Sequence, residues 1–64
     1  MIAFIIKKKT DPDNSLLEAY LVRRANGYVW DYGPHAYIES CEFADEDEAE
    51  RIAANVGGDV ITLD

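Results

Sequence analysis

DEDEAERIAANVGGDVITL, residues 45–63, decides the fold, because it reads as one capped helix followed at once by a strand. Asp45 stands at the N-cap position with Glu48 three residues on, the pattern of a capping box. Ala49, Ile52, Ala53 and Val56 then recur at spacings 0, 3, 4 and 7, which is a single helical face. Gly57 supplies the left-handed residue that ends such a helix. Asp47 and Arg51 form an i, i+4 pair of opposite charge. Ala49 and Ala53 are small, so the helix is expected to lie close on a sheet. Residues 59–63, DVITL, are rich in β-branched side chains and read as the last strand.

Working towards the N-terminus, residues 18–32 carry two further strands. EAYLVRR and YVWDY flank Asn26-Gly27, a pair that readily takes the two positive-φ positions of a type I′ hairpin turn. A two-residue loop pairs Ala25 with Tyr28, Arg23 with Trp30 and Leu21 with Tyr32. Leu21, Arg23, Tyr28, Trp30 and Tyr32 then share one face, and Tyr20, Val22, Arg24, Val29 and Asp31 share the other. Opposite residues interact, so this register places Arg23 over the ring of Trp30. Residues 33–36, GPHA, interrupt the strand. Residues 37–43 alternate weakly and are expected to form a short strand or an extended segment. Residues 1–9 alternate Ile2, Phe4 and Ile6 against Ala3 and Ile5 and read as the first strand. Residues 10–15, TDPDNS, have the composition of a loop.

The expected fold is therefore α+β. It is a small antiparallel sheet of about four strands, in the order β-β-β-(β)-α-β, with one helix on one face. Residues 1–64 form a single domain without an internal repeat. Both amphipathic elements have one side to bury, and packing them on each other is the economical solution. At this length a chain buries only about 60% of the surface its unfolded form exposes, so the core is thin. Cys41 is the only cysteine, which excludes a disulfide within one chain and suits a reducing compartment. In MIAFIIKKK the charges follow a short apolar run instead of preceding a long one, the reverse of a secretion signal. With no stretch near the roughly 20 apolar residues of a membrane span, the expectation is a soluble cytoplasmic protein with no membrane contact.

Residue chemistry weighs against catalysis. Cys41 and His35 are the natural nucleophile and base, but nothing local brings them together. A lone cysteine is most often a small buried hydrophobe. His35 is the only histidine, so no zinc-ligand spacing is present and neither metal nor cofactor is expected. Asp11, Asp13 and Ser15 match the start of a calcium loop, yet Leu16 and Val22 stand where that loop needs glycine and glutamate. The four glycines occupy turns and cradle no phosphate.

What remains is charge and aromatic surface. The formal net charge is −7. Residues 1–30 hold five basic and three acidic side chains, whereas residues 31–64 hold one basic and ten acidic. Capping and the helix dipole account for Asp45 and Glu48 and partly for Glu46 and Asp47. They do not account for Glu39, Glu42 or Glu50, nor for the near absence of basic partners. Glu39, Glu42, Glu46, Asp47 and Glu50 are the candidate partner-binding carboxylates, weighed against a merely solubilising surface. Tyr28, Trp30 and Tyr32 are the candidate aromatic contacts, with three readings open: core, protein anchor or base-stacking platform. The acidic half repels phosphate, so direct nucleic-acid binding is the least favoured of these.

Residues 43–64, FADEDEAERIAANVGGDVITLD, in a short acidic chain without an active-site motif, resemble in style the small phage-encoded inhibitors of host machinery, anti-CRISPR proteins among them. That resemblance implies a non-catalytic inhibitor acting in the host cell cytoplasm. Its carboxylates would take the place of nucleic-acid phosphates on a basic partner, such as a CRISPR effector or another nucleic-acid-binding complex. The alternative is a small structural or regulatory module that forms a homodimer through its sheet.

Overall fold

The computed structural model describes residues 2–9, 18–33 and 35–63. The expected loop at residues 10–15 lies outside them. Four strands, β1 (Ala3–Lys8), β2 (Ala19–Arg24), β3 (Gly27–Tyr32) and β4 (Gly58–Leu63), form one sheet in the order β3-β2-β1-β4. All neighbours are antiparallel. Between β3 and β4 the chain forms a single-turn helix, α1 (Ala36–Glu39), and the main helix, α2 (Glu46–Val56). The α+β architecture with one principal helix is as the sequence predicts.

α2 begins and ends where its capping residues place it. The Asp45 side chain accepts a hydrogen bond from the Asp47 N–H at 3.0 Å. Gly57 is left-handed at φ 78° and donates its N–H to the Ala53 carbonyl. Three first-turn carboxylates, Glu46, Asp47 and Glu48, face the positive end of the helix dipole. Of the expected capping box only the Asp45 half forms, to the Asp47 N–H and not to that of Glu48. Neither a return bond from the Glu48 carboxylate nor the expected Asp47–Arg51 ion pair is among the contacts of the described residues. Replacing Asp45 with Ala leaves the Asp47 N–H without its partner and is expected to cost about 1 kcal/mol. A urea melt should show that loss as a lower midpoint at unchanged slope. An unchanged midpoint would mean that this cap does not hold the helix.

Ala49 and Ala53 are buried, and their small side chains bring α2 down onto Ile6, Leu21 and Phe43 to form the core. Phe4, Trp30, Cys41, Ile52, Val56 and Val60 pack around that cluster. Alternation sends Ile5 and Val22 to the opposite face, where they too are fully buried. α1 lies on that second face: its Tyr37 meets Tyr20 edge to face at 5.5 Å, and Ala36 is fully buried.

Two expectations are corrected. The hairpin register is shifted by two residues, pairing Arg24 with Gly27, Arg23 with Tyr28 and Leu21 with Trp30. Only Gly27 takes a positive φ, at 112°, so Ala25 and Asn26 turn the chain at negative φ and the type I′ geometry is not used. Arg23 therefore lies opposite Tyr28 rather than Trp30. A shift of two preserves the faces, so the side-chain partition expected from the sequence survives intact.

Residues 37–43 are the second correction. The chain from Ala36 to Glu39 is helical, and only Phe43 makes a strand-like bridge, to Phe4. The Phe4 and Phe43 N–H groups each donate to the other's carbonyl, at 2.9 and 2.8 Å. The Cys41 N–H donates to the Leu21 carbonyl at 2.9 Å. Residues 41–43 thus form a wedge between β1 and β2, which pair directly only at Lys7 and Tyr20. Backbone groups that the splayed strands would leave unpaired find partners in the wedge.

Candidate functional site

The predicted carboxylates fall into two groups. Glu46, Asp47 and Glu50 are exposed on α2. Glu50 follows Glu46 by four residues and Asp47 by three, so the three adjoin on the helix surface. Glu42, also exposed, sits on the wedge that feeds α2. Alternation with Cys41 and Phe43 turns it away from the core. Among the described residues none of these four carboxylates is within ion-pairing distance of a basic group.

Glu39 is different. It lies on the second face of the sheet, where the Arg24 guanidinium reaches its carboxylate at 3.3 Å and that of Asp31 at 3.4 Å. His35 Nε2 stands 3.7 Å from the same Asp31 oxygen. Asp31, His35 and Glu39, spaced by four residues, bring their ligand atoms within 4.8 Å of one another. Sequence reasoning missed this cluster because it took residues 37–43 as extended, and a strand would not return Glu39 to Asp31. The spacing was the available signal. The single Arg24 guanidinium bridges both carboxylates and offsets one of their two charges. The cluster therefore ties α1 to the hairpin, through exposed pairs that typically contribute about 0.2–1 kcal/mol each.

The aromatic row also divides. Trp30 is half-buried and packs on the core. Tyr28 and Tyr32, on either side of it along the strand, keep 38% and 47% of their surface exposed. Tyr28 leans on Phe43, with ring centres 6.1 Å apart. The Lys8 ammonium lies 5.7 Å from the Tyr32 ring centre and donates to its hydroxyl at 3.1 Å. The half of the sheet bearing Tyr28 and Tyr32 also carries the exposed Arg23 and Lys8, so its character is aromatic and basic, the opposite of α2.

Cys41 packs against the core, while His35 is on the second face beside Asp31. The two do not meet. Burial pushes the Cys41 thiol above its ordinary pKa; nearby Arg23 opposes the rise, and Glu48 and Glu42 add to it. A thiol held protonated is a poor nucleophile. Beside α2, a shallow groove of about 360 Å³ runs between the helix and β4, lined by Lys9, Glu50, Ala53, Ala54, Asp59 and Val60. Among the described residues no helix is long and apolar enough to cross a membrane. Comparison with protein-family models, curated proteins and solved structures finds no match to the chain.

Proposed function

We propose that this protein is a non-catalytic inhibitor that docks its acidic surface on a basic, nucleic-acid-handling protein. The observation that carries the reading is the set Glu42, Glu46, Asp47 and Glu50: exposed carboxylates with no ion pair among the described residues. Other charges do pair, Lys7 with Glu18 and Arg24 with Asp31 and Glu39. Among the described residues Arg51 is the one basic side chain on α2, and it forms no ion pair with Glu42, Glu46, Asp47 or Glu50. Unneutralised charge on a rigid helix raises the encounter rate with an opposite surface and orients the approach. Glu39, held by Arg24, contributes less than the sequence alone suggests. Tyr28 and Tyr32 are the exposed aromatics available as anchors, whereas Trp30 supports them from the core.

The test begins with capture of the partner from host lysate and its identification by mass spectrometry. Association kinetics then compare the parent chain with Glu46, Asp47 and Glu50 all changed to Lys. Asp45 and Glu48 are spared, so α2 keeps its cap and part of its favourable first-turn charge. The variant should associate roughly tenfold more slowly at low salt, with the gap closing as salt rises. Nucleic acid should compete with the parent chain for the partner. Matching rates at both salt concentrations would reduce the carboxylates to a helix start and a solubilising surface.

A further inference from the structure

We propose that the outer edge of β4 binds an extended, lysine- or arginine-rich segment of the partner by strand addition, with α2 as the acidic wall beside it. The inference rests on the docking function above and assigns it a place and a mode. β4 is an edge strand: it pairs with β1 along six consecutive residues, and among the described residues nothing pairs with its other side. Natural edges are usually guarded by lysine, proline or a bulge. β4, with the sequence GDVITL, has none of these, its one charged side chain is the exposed acidic Asp59, and its register with β1 is unbroken. The other edge, β3, is partly closed, because the Asp31 side chain accepts the Tyr32 N–H at 2.9 Å.

Charge selects the occupant. Glu50 of α2 and Asp59 of β4 line the groove together with Lys9, so two carboxylates face one ammonium there. Glu46 lies one turn before Glu50 on the same flank of α2. A second copy pairing β4 against β4 about a twofold axis would set these acidic flanks side by side, which like-charge repulsion disfavours. A basic strand meets the same surface with opposite charge. Every second side chain of an added strand points to the α2 face. There a lysine or arginine can rest its aliphatic stem on Ala53, Ala54 and Val60 and present its charge to Glu50. Main-chain hydrogen bonds would supply affinity, and the groove would supply selectivity for basic residues.

The probe is a fluorescent peptide of about ten residues that alternates lysine and threonine. The control is the same peptide with every backbone N–H methylated, so its charge is retained and its ladder donors are lost. The unmethylated peptide should bind with salt-sensitive affinity and slow amide exchange in residues 58–63 at least about tenfold, the control about tenfold more weakly. Glu50→Lys, exposed and outside the cap, should weaken the unmethylated peptide by about threefold or more. Equal binding of both peptides would overturn strand addition while leaving acidic docking in place. Failure of both to bind in a salt-dependent way would overturn the docking reading together with it. Protection of residues 58–63 that rises with protein concentration alone, with sedimentation at twice the monomer mass, would assign the edge to a second copy and overturn the proposal.

Discussion

Trp30→Ala should destabilise the fold by about 3 kcal/mol, the lower end of the range for removing a large aromatic from a core. The ring is only half-buried, yet its position makes it structural. β3 and β4 are opposite edges of the sheet, but the far edge of the indole comes within 2.9 Å of where a Cβ on Gly58 would stand. The sheet therefore curls around the ring, and Trp30 spans from one edge strand to the other over Leu21 and Ile6. Small domains hold roughly 0.05–0.15 kcal/mol of stability per residue, so such a loss removes a large part of the total. Far-UV circular dichroism in a urea titration measures it without relying on the deleted fluorophore. Trp30→Phe should lose less, because the strand-facing part of the ring is kept. Tyr28→Ala and Tyr32→Ala, each half-exposed, should lose less again. An unfolding midpoint for Trp30→Ala equal to the parent's would mean that the indole is surface and that the aromatic row acts as one exposed anchor.

The behaviour of Trp30 shows where the sequence was legible. Alternation along residues 19–24 and 27–32 placed it on the face that α2 covers, and a register shift of two could not disturb that partition. The register itself was not legible. Asn-Gly suits a turn with two positive-φ residues, but it equally suits one in which glycine alone is left-handed, and side-chain periodicity does not separate the two. α2 was legible to the residue, because its start and stop signals are local: Asp45 bonds two positions ahead and Gly57 four behind. Residues 36–43 were not, because their conformation answers a distant need. The wedge fills an opening between β1 and β2 that exists only once both strands are in place.

The candidate site divides in the same way. The exposure of Glu46, Asp47 and Glu50 follows from the helical face defined by Ala49, Ile52, Ala53 and Val56. The fate of Glu39 depended on α1, which carries it to the second face of the sheet, where Arg24 binds it apart from the α2 carboxylates. The groove at β4 and that strand's edge position were invisible for a different reason. Edge position is a property of strand order, and residues 58–63 would read alike at the centre of a sheet or at its border.

Gly58→Ala should cost about 2–3 kcal/mol, the upper part of the range for overpacking. Backbone geometry alone points elsewhere, because Gly57 is the left-handed glycine and Gly58 has no positive φ. Space decides the difference. A Cβ at Gly57 meets nothing within 4 Å, so Gly57→Ala should cost only about 1–2 kcal/mol for the left-handed backbone. A Cβ at Gly58 would stand 2.6 Å from Ile6 Cγ2, 2.9 Å from the Lys7 carbonyl oxygen and 2.9 Å from Trp30 Cη2. The two side chains are held by the core, and the carbonyl belongs to β1, which pairs with β4 at this point through Lys8 and Gly58. Relief thus requires the edge strand to lift from β1, since a shift of the indole removes only one of the three contacts. Urea midpoints should rank Gly58→Ala below Gly57→Ala, and amide exchange at Val60 and Ile61 should quicken in the Gly58 variant alone. A double-mutant cycle with Trp30→Ala identifies the obstacle. With the indole removed, Gly58→Ala should cost less by at least about 0.5 kcal/mol, the coupling expected of residues in contact. Strict additivity of the two changes would assign the clash to Ile6 and the Lys7 carbonyl and remove Trp30 from the β4 side of the core.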